Sequence, residues 1–134
     1  MRTRQAGFTM IELIVVIVIL GILAATALPR FIDMRGEARQ AAADGVAGAA
    51  ASAMTLNFSG CSLTNDVVTT SKCIKVDNCN KAGLLLQPGL PAGYTVADTP
   101  LSGAPLPTNG ATASCTVSGP GGLTRNFTGI GAGN

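Results

Sequence analysis

The chain of 134 residues contains no histidine and no tryptophan. Without histidine it lacks the commonest general acid/base and the commonest metal ligand. Serine and threonine are plentiful, but no imidazole is available to activate either as a nucleophile. The composition therefore points away from an enzyme, and neither a cofactor nor a resident metal is expected. Aromatics are scarce, at four Phe and one Tyr. So sparse a set supplies core and interface fillers rather than a stack for electron transfer. Charge is scarce as well, at 12% of residues with a formal net charge of +2. No Lys/Arg cluster of the kind that tracks phosphates is present, so no direct nucleic-acid site is evident. Asp66, Asp77 and Asp98 are too scattered to form a calcium loop.

What the chain does have is a long apolar run near its start and four cysteines behind it. From Phe8 to Leu28 the sequence reads FTMIELIVVIVILGILAATAL, with Glu12 as its one charged residue. At ~1.5 Å per residue such a helix spans a hydrocarbon core of roughly 30 Å. Arg2 and Arg4 precede the run; Arg30, Arg35 and Arg39 follow it, offset by Asp33, Glu37 and Asp44. Charge alone therefore leaves the orientation open. Cys61, Cys73, Cys79 and Cys115 all lie beyond the run. An even cysteine count there points to disulfides in an oxidising compartment, hence to an N-terminus inside and a body outside. Zinc is the rival reading, but the Cys-x5-Cys spacing from Cys73 to Cys79 is wider than the usual knuckle. A secretory signal, cut at the small residues AATA of 24–27, would also fit a basic start and an apolar run. Against it, Glu12 is costly in a membrane helix, and helical spacing continues past the presumed cut.

Residues 7–34, GFTMIELIVVIVILGILAATALPRFIDM, resemble the N-terminus of type IV pilins and of the related type II secretion pseudopilins. The shared pattern is a short basic leader ending in Gly7, then Phe8, Thr9, two apolar residues, Glu12, a long aliphatic run and Pro29. The resemblance implies that a prepilin peptidase removes leader 1–7 by cutting between Gly7 and Phe8 and methylates the new Phe8 amine. It implies further that Glu12 of one subunit meets the Phe8 amine of a neighbour, with Thr9 beside them, as residues 8–29 pack into a filament core. A buried charge with no partner is costly, so such pairing would enforce register between subunits. Pro29 clashes with the preceding turn and Gly21 lowers helix propensity, so the interval between them is expected to bend or melt. Filament members of the family do lose helix there.

Beyond Pro29 helical spacing continues to about residue 56, giving an amphipathic, Ala-rich segment over 30–56. Its expected stripes are Phe31, Ala38, Gly45 or Val46 and Ala53, flanked by Met34, Ala42, Ala49 and Leu56. A helix from Phe8 to Leu56 would be ~70 Å long, too long for one small domain. Half of it must find partners elsewhere. Residues 57–134 read as a globular antiparallel-sheet domain with disulfide-bounded loops. Its candidate strands are 66–70, 82–86, 94–97, 113–117 and 125–130. So thin a core would gain from covalent staples. Of three connectivities, Cys61–Cys73 with Cys79–Cys115 is favoured: the first closes a small loop after the helix and the second ties the next segment to a late strand. In the pilin family a disulfide commonly bounds a variable, outward-facing C-terminal loop, and Cys79 to Cys115 would enclose most of the loop-rich segment. Asn57-Phe58-Ser59 and Asn126-Phe127-Thr128 match the glycosylation triplet, which arises readily by chance in such a chain.

The expected fold is α+β: a long N-terminal helix whose C-terminal half packs on a small antiparallel sheet, stapled by disulfides. The resemblance implies a structural subunit, of the major kind, that forms a homo-oligomeric helical filament, a type IV pilus (fimbrium) serving adhesion or motility. Its partners would be the inner membrane before assembly, the prepilin peptidase and the assembly machinery. The precursor would sit in the inner membrane and the product in an extracellular pilus. A pseudopilin of a periplasmic export piston is one alternative. From another class comes a monomeric, single-pass, membrane-anchored binding domain.

Overall fold

The computed structural model describes residues 7–101 and 108–134. Leader residues 1–6, with Arg2 and Arg4, lie outside the described residues, as does most of the turn expected near 101–110. The described elements are a helix α1 (Met10–Leu63), a 3-10 turn (Cys79–Lys81), a one-turn helix α2 (Ala82–Leu85) and strands β1 (Thr95–Val96), β2 (Thr112–Gly119) and β3 (Leu123–Ile130). Two compact units divide the chain, Met1–Ala38 and Arg39–Asn134, and α1 passes from the first into the second.

Within the first unit, from Met10 to Leu28, α1 is apolar on every side apart from Glu12. Its large side chains from Phe8 to Leu28 are 49% to 92% exposed. A surface of this kind must be covered by lipid or by protein, and the helix is long and apolar enough to cross a membrane. In the single chain α1 is unbroken from Gly21 through Pro29, which differs from the bend or melting that the two residues suggest. Proline removes one N–H and so one helical bond. The Ala and Leu residues between 22 and 28 favour helix strongly enough to carry it across. Thr26 turns its hydroxyl back onto the Ile22 and Leu23 carbonyls at 3.3 and 3.0 Å, so this polar group is satisfied inside the apolar run.

In the second unit α1 buries Ala43, Ala47, Ala50, Met54, Asn57 and Cys61, spaced alternately by four and three. The stripes expected from sequence meet this face only at its edge: Val46 and Ala53 are half-buried, with Val46 against the core, whereas Ala38, Ala42, Gly45 and Ala49 are exposed and Leu56 is 73% exposed. Ala and Gly surround this part of the helix, so periodicity alone does not select a face. The large Met54 and the bonded Cys61 select it instead.

Opposite this face lies an antiparallel meander in the order β1-β2-β3. The strands β2 and β3 pair from Thr112↔Ile130 to Gly119↔Leu123, with Pro120, Gly121 and Gly122 between them. Both glycines have φ near the left-handed region, +82° and +74°, which explains the SGPGG cluster. Cys115, Val117 and Phe127 point inward and cluster with Ala47, Ala50, Met54, Val76 and Leu101. Gly129 lets the layers approach: a Cβ there would overlap the Cys115 sulfur and lie 2.9 Å from Leu101 Cδ2 and 3.4 Å from Met54 Sδ.

Three expected strands, at 94–97, 113–117 and 125–130, coincide with β1, β2 and β3. Two do not. Residues 82–85 form α2, because Asn78 caps the preceding 3-10 turn by accepting from the Asn80 N–H and directs the chain into a helical turn. Residues 66–70 form no strand; Thr69 makes only an isolated bridge to Cys73. The helix also runs past residue 56 to Leu63. Beyond it the Asp66 N–H returns to the Cys61 carbonyl at 2.8 Å, with Asn65 and Asp66 both at positive φ. Disulfides join Cys61 to Cys73 and Cys79 to Cys115, with Cα separations of 4.5 and 5.6 Å. The first staples the end of α1 to the following loop; the second ties the 3-10 turn to β2. The architecture is the expected α+β fold, with the helix in the second unit packed on a small, stapled sheet.

Candidate functional site

Glu12 stands in the first turn of α1, and its surroundings are local. One carboxylate oxygen, Oε2, accepts from both the Thr9 backbone N–H and the Thr9 hydroxyl, each at 2.9 Å. The Glu12 N–H points back to Thr9 Oγ1 at 3.4 Å, and the Leu13 N–H reaches the Thr9 carbonyl at 3.2 Å. Thr9 is thus the N-cap and Glu12 the reciprocal third residue of a capping box. Sequence reasoning on charge alone misses this role. The Thr-x-x-Glu spacing ahead of an apolar run is its signal.

The consequence is a carboxylate held at a fixed place on an otherwise apolar surface. A shallow hollow of about 390 Å³ beside it is lined by Phe8, Ile11, Glu12, Val15 and Val16. Negative charge in the first helical turn is favourable, because the free N–H groups there concentrate positive potential. Phe8 itself is 92% exposed and precedes the helix, and Gly7 has no neighbour that an added Cβ would meet. Among the described residues the Gly7–Phe8 segment is therefore open, and Thr9 and Glu12 are the pair the structure joins. Gly21 and Pro29 stand far along the same helix and take no part in this turn.

The cysteines occupy buried structural positions, all 0% exposed, and the described residues include no cluster of metal-ligating side chains. Asn57 of the first glycosylation triplet is buried. Its amide clips the edge of the loop that follows α1, donating to the Ile74 carbonyl at 2.7 Å and accepting from the Ile74 N–H at 2.8 Å. Asn126 of the second triplet is exposed on β3, where its Oδ1 accepts from the Thr116 hydroxyl at 2.9 Å.

Residues 2–28 match the family described as the prokaryotic N-terminal methylation motif. The chain is 53% identical over 53 residues to the type IV narrow pilus major component PilA5 of Thermus thermophilus, a stretch covering 40% of this chain and 46% of the relative. It is 56% identical over 39 residues to the type IV major pilin protein PilE1 of Neisseria gonorrhoeae, covering 29% of this chain and 24% of that one. With the type IV major pilin protein PilA of Myxococcus xanthus it shares 50% identity over 40 residues, 30% of this chain and 18% of the relative. The shared stretch is thus less than half the length of each relative. No solved structure matches the chain. A methylation motif at the N-terminus, sequence shared there with major pilins, and a long apolar helix leading into a disulfide-stapled sheet together support an assignment to the type IV pilin family.

Proposed function

We propose that the chain is a major pilin whose mature form begins at Phe8 and polymerises through residues 8–29 into a surface filament. Leader 1–7 is removed between Gly7 and Phe8 by the prepilin peptidase, which also methylates the Phe8 amine. Before assembly the apolar segment lies in the inner membrane; afterwards the same side chains pack against those of other copies. The amphipathic segment 30–56 and the sheet domain 57–134 then form the outer layer of the extracellular pilus, in contact with the assembly machinery during growth. A structural role of this kind requires no catalytic group.

The observation that carries this reading is the ordered carboxylate on the apolar, exposed N-terminal segment of α1. Glu12 is anchored by Thr9 alone and retains acceptor capacity. Cleavage creates a positive amine at Phe8, and the amine of an adjoining copy would complete the carboxylate's bonding with a charge-assisted hydrogen bond. Once buried, an unpaired carboxylate costs several kcal/mol, on the order of the cost of breaking a buried ion pair. Mispaired subunits are therefore disfavoured. Loss of helix between Gly21 and Pro29 belongs to the same proposal, as a change that accompanies packing in the filament.

Two substitutions separate the charge of Glu12 from its capping role. Gln also serves in a capping box, so Glu12→Gln keeps the bond to the Thr9 N–H and loses only the charge, whereas Glu12→Ala loses both. Both variants should insert in the membrane, and both should reduce surface filaments at least tenfold by electron microscopy of sheared material. Filaments unchanged in Glu12→Gln would show that the cap suffices and remove the pairing mechanism.

A further inference from the structure

Residues 109 and 110 form the only Asn-Gly step in the chain. Asparagine is a thermolabile residue, because the backbone nitrogen that follows it can attack its side-chain amide carbon, and a glycine there has no Cβ to obstruct the approach. In the structure both reacting groups are tied, and both by the same segment. The Gly110 N–H, on the attacking nitrogen, donates to the Gly131 carbonyl at 2.8 Å. The Asn109 amide is clipped at both ends to Asn134: its Oδ1 accepts from the Asn134 N–H at 2.9 Å, and its NH2 donates to the Asn134 carbonyl at 3.3 Å.

Gly131 and Asn134 belong to the stretch 131–134 that follows β3. It is seated on Val76 by a pair of backbone bonds at Ala132, 2.8 and 3.0 Å long, and by the Asn134 side chain, which donates to the Val76 carbonyl at 3.2 Å. Residues 131–133 are buried.

We infer that Asn109 is a self-modification site and that residues 131–134 are its gate, an inference independent of the filament reading. While the segment is seated, the Gly110 nitrogen is engaged with Gly131 and the Asn109 amide is held to Asn134. When the segment lifts, all three bonds are lost together. Openings of so short a stretch need far less free energy than global unfolding. The Gly110 nitrogen then gives its proton to solvent and bonds to Asn109 Cγ. The Cγ–Nδ2 bond breaks, and Nδ2 takes a proton from solvent and leaves as ammonia. Water opens the resulting five-membered imide at one of its two C–N bonds, giving aspartate at 109 or the isoaspartate whose backbone runs through Cγ. One water is consumed and one ammonia released, with no change of oxidation state.

Neither product can reseat the clip. A carboxylate has no hydrogen to donate, so the oxygen that replaces the NH2 meets the Asn134 carbonyl as acceptor against acceptor. Isoaspartate also adds a backbone carbon before Gly110, which shifts its N–H away from Gly131. Modification therefore holds its own gate open.

The test incubates full-length protein in detergent at mildly alkaline pH and reads conversion at Asn109 by peptide mass and isoaspartate mapping. The native protein should convert at least about tenfold more slowly than the same chain in urea. Gly133→Val loosens the gate: Gly133 has φ +65°, and a Cβ there would meet Cys73 Sγ, Lys75 Cα and Val68 Cγ2 at 3.2, 3.3 and 3.3 Å. This variant should convert at least about threefold faster than the unaltered chain in native buffer and at the same rate in urea. Should it fail to fold, Asn109→Asp carries the test, since amide exchange at Gly110 and Ala132 should then be at least about fivefold faster than in the unaltered protein. Equal conversion of the native and unfolded chains, no gain in a folded Gly133→Val, or unchanged exchange in Asn109→Asp would each overturn the inference.

Discussion

At the scale of single residues, polar groups in apolar surroundings carry the argument. Glu12 was legible in the sequence because a lone carboxylate in twenty-one membrane-compatible residues demands a partner. Its local partner Thr9 was written there as well, but only as a spacing whose meaning appears once the helix is known to start at Met10. Asn57 was not legible. As a triplet residue it reads as surface, yet it is 8% exposed and replaces a missing backbone partner for both polar groups of Ile74. Asn57→Ala should therefore leave a buried N–H and a buried C=O unpaired and cost about 1–3 kcal/mol or more. Urea unfolding of the full chain in detergent, followed by circular dichroism, would measure it. Gly129→Ala should fail by a different route, since the added methyl overlaps the Cys115 sulfur and crowds Leu101. The expected loss is about 1–3 kcal/mol from overpacking in the same experiment.

At the scale of elements, the legible parts were those with a strong period or a forced turn. Strand β2 alternates cleanly and is joined to β3 by SGPGG, so their place could be read; β1 has only two residues but lies between Pro/Gly-rich turns. The face of α1 could not be read, because a helix of Ala and Gly has nearly the same hydrophobicity all round and Met54 and Cys61 choose the buried side only through partners distant in sequence. Residues 82–85 look strand-like as an isolated apolar run, and the Asn78 cap makes them helical. The use of disulfides followed from composition and compartment. Loop entropy makes their contributions comparable: replacing Cys79 and Cys115, separated by 36 residues, should cost about 4 kcal/mol, and replacing Cys61 and Cys73, separated by 12, about 3 kcal/mol. Chemical unfolding of the two double-serine variants gives the comparison. The interval between Gly21 and Pro29 is helical in the single chain, so its softening should depend on assembly. Amide exchange at residues 22–28 should be slow in detergent-solubilised subunits and faster in filaments; equal protection in both would remove the proposed melting.

At the scale of the whole molecule, the account turns on one chain meeting two solvents. The first unit leaves an apolar helix uncovered, while the second unit buries its own small core with two staples. Such a division suits a subunit that is stored in lipid and consumed by polymerisation, since replacing lipid by other copies keeps the same side chains away from water. The most direct measurement is N-terminal sequencing, with intact mass, of the protein in fibres sheared from the cell surface. The account predicts long fibres whose protein begins with N-methyl-phenylalanine at Phe8. Finding the protein only in the membrane with its leader still attached, or cut near residue 27 at the small-residue stretch, would contradict it.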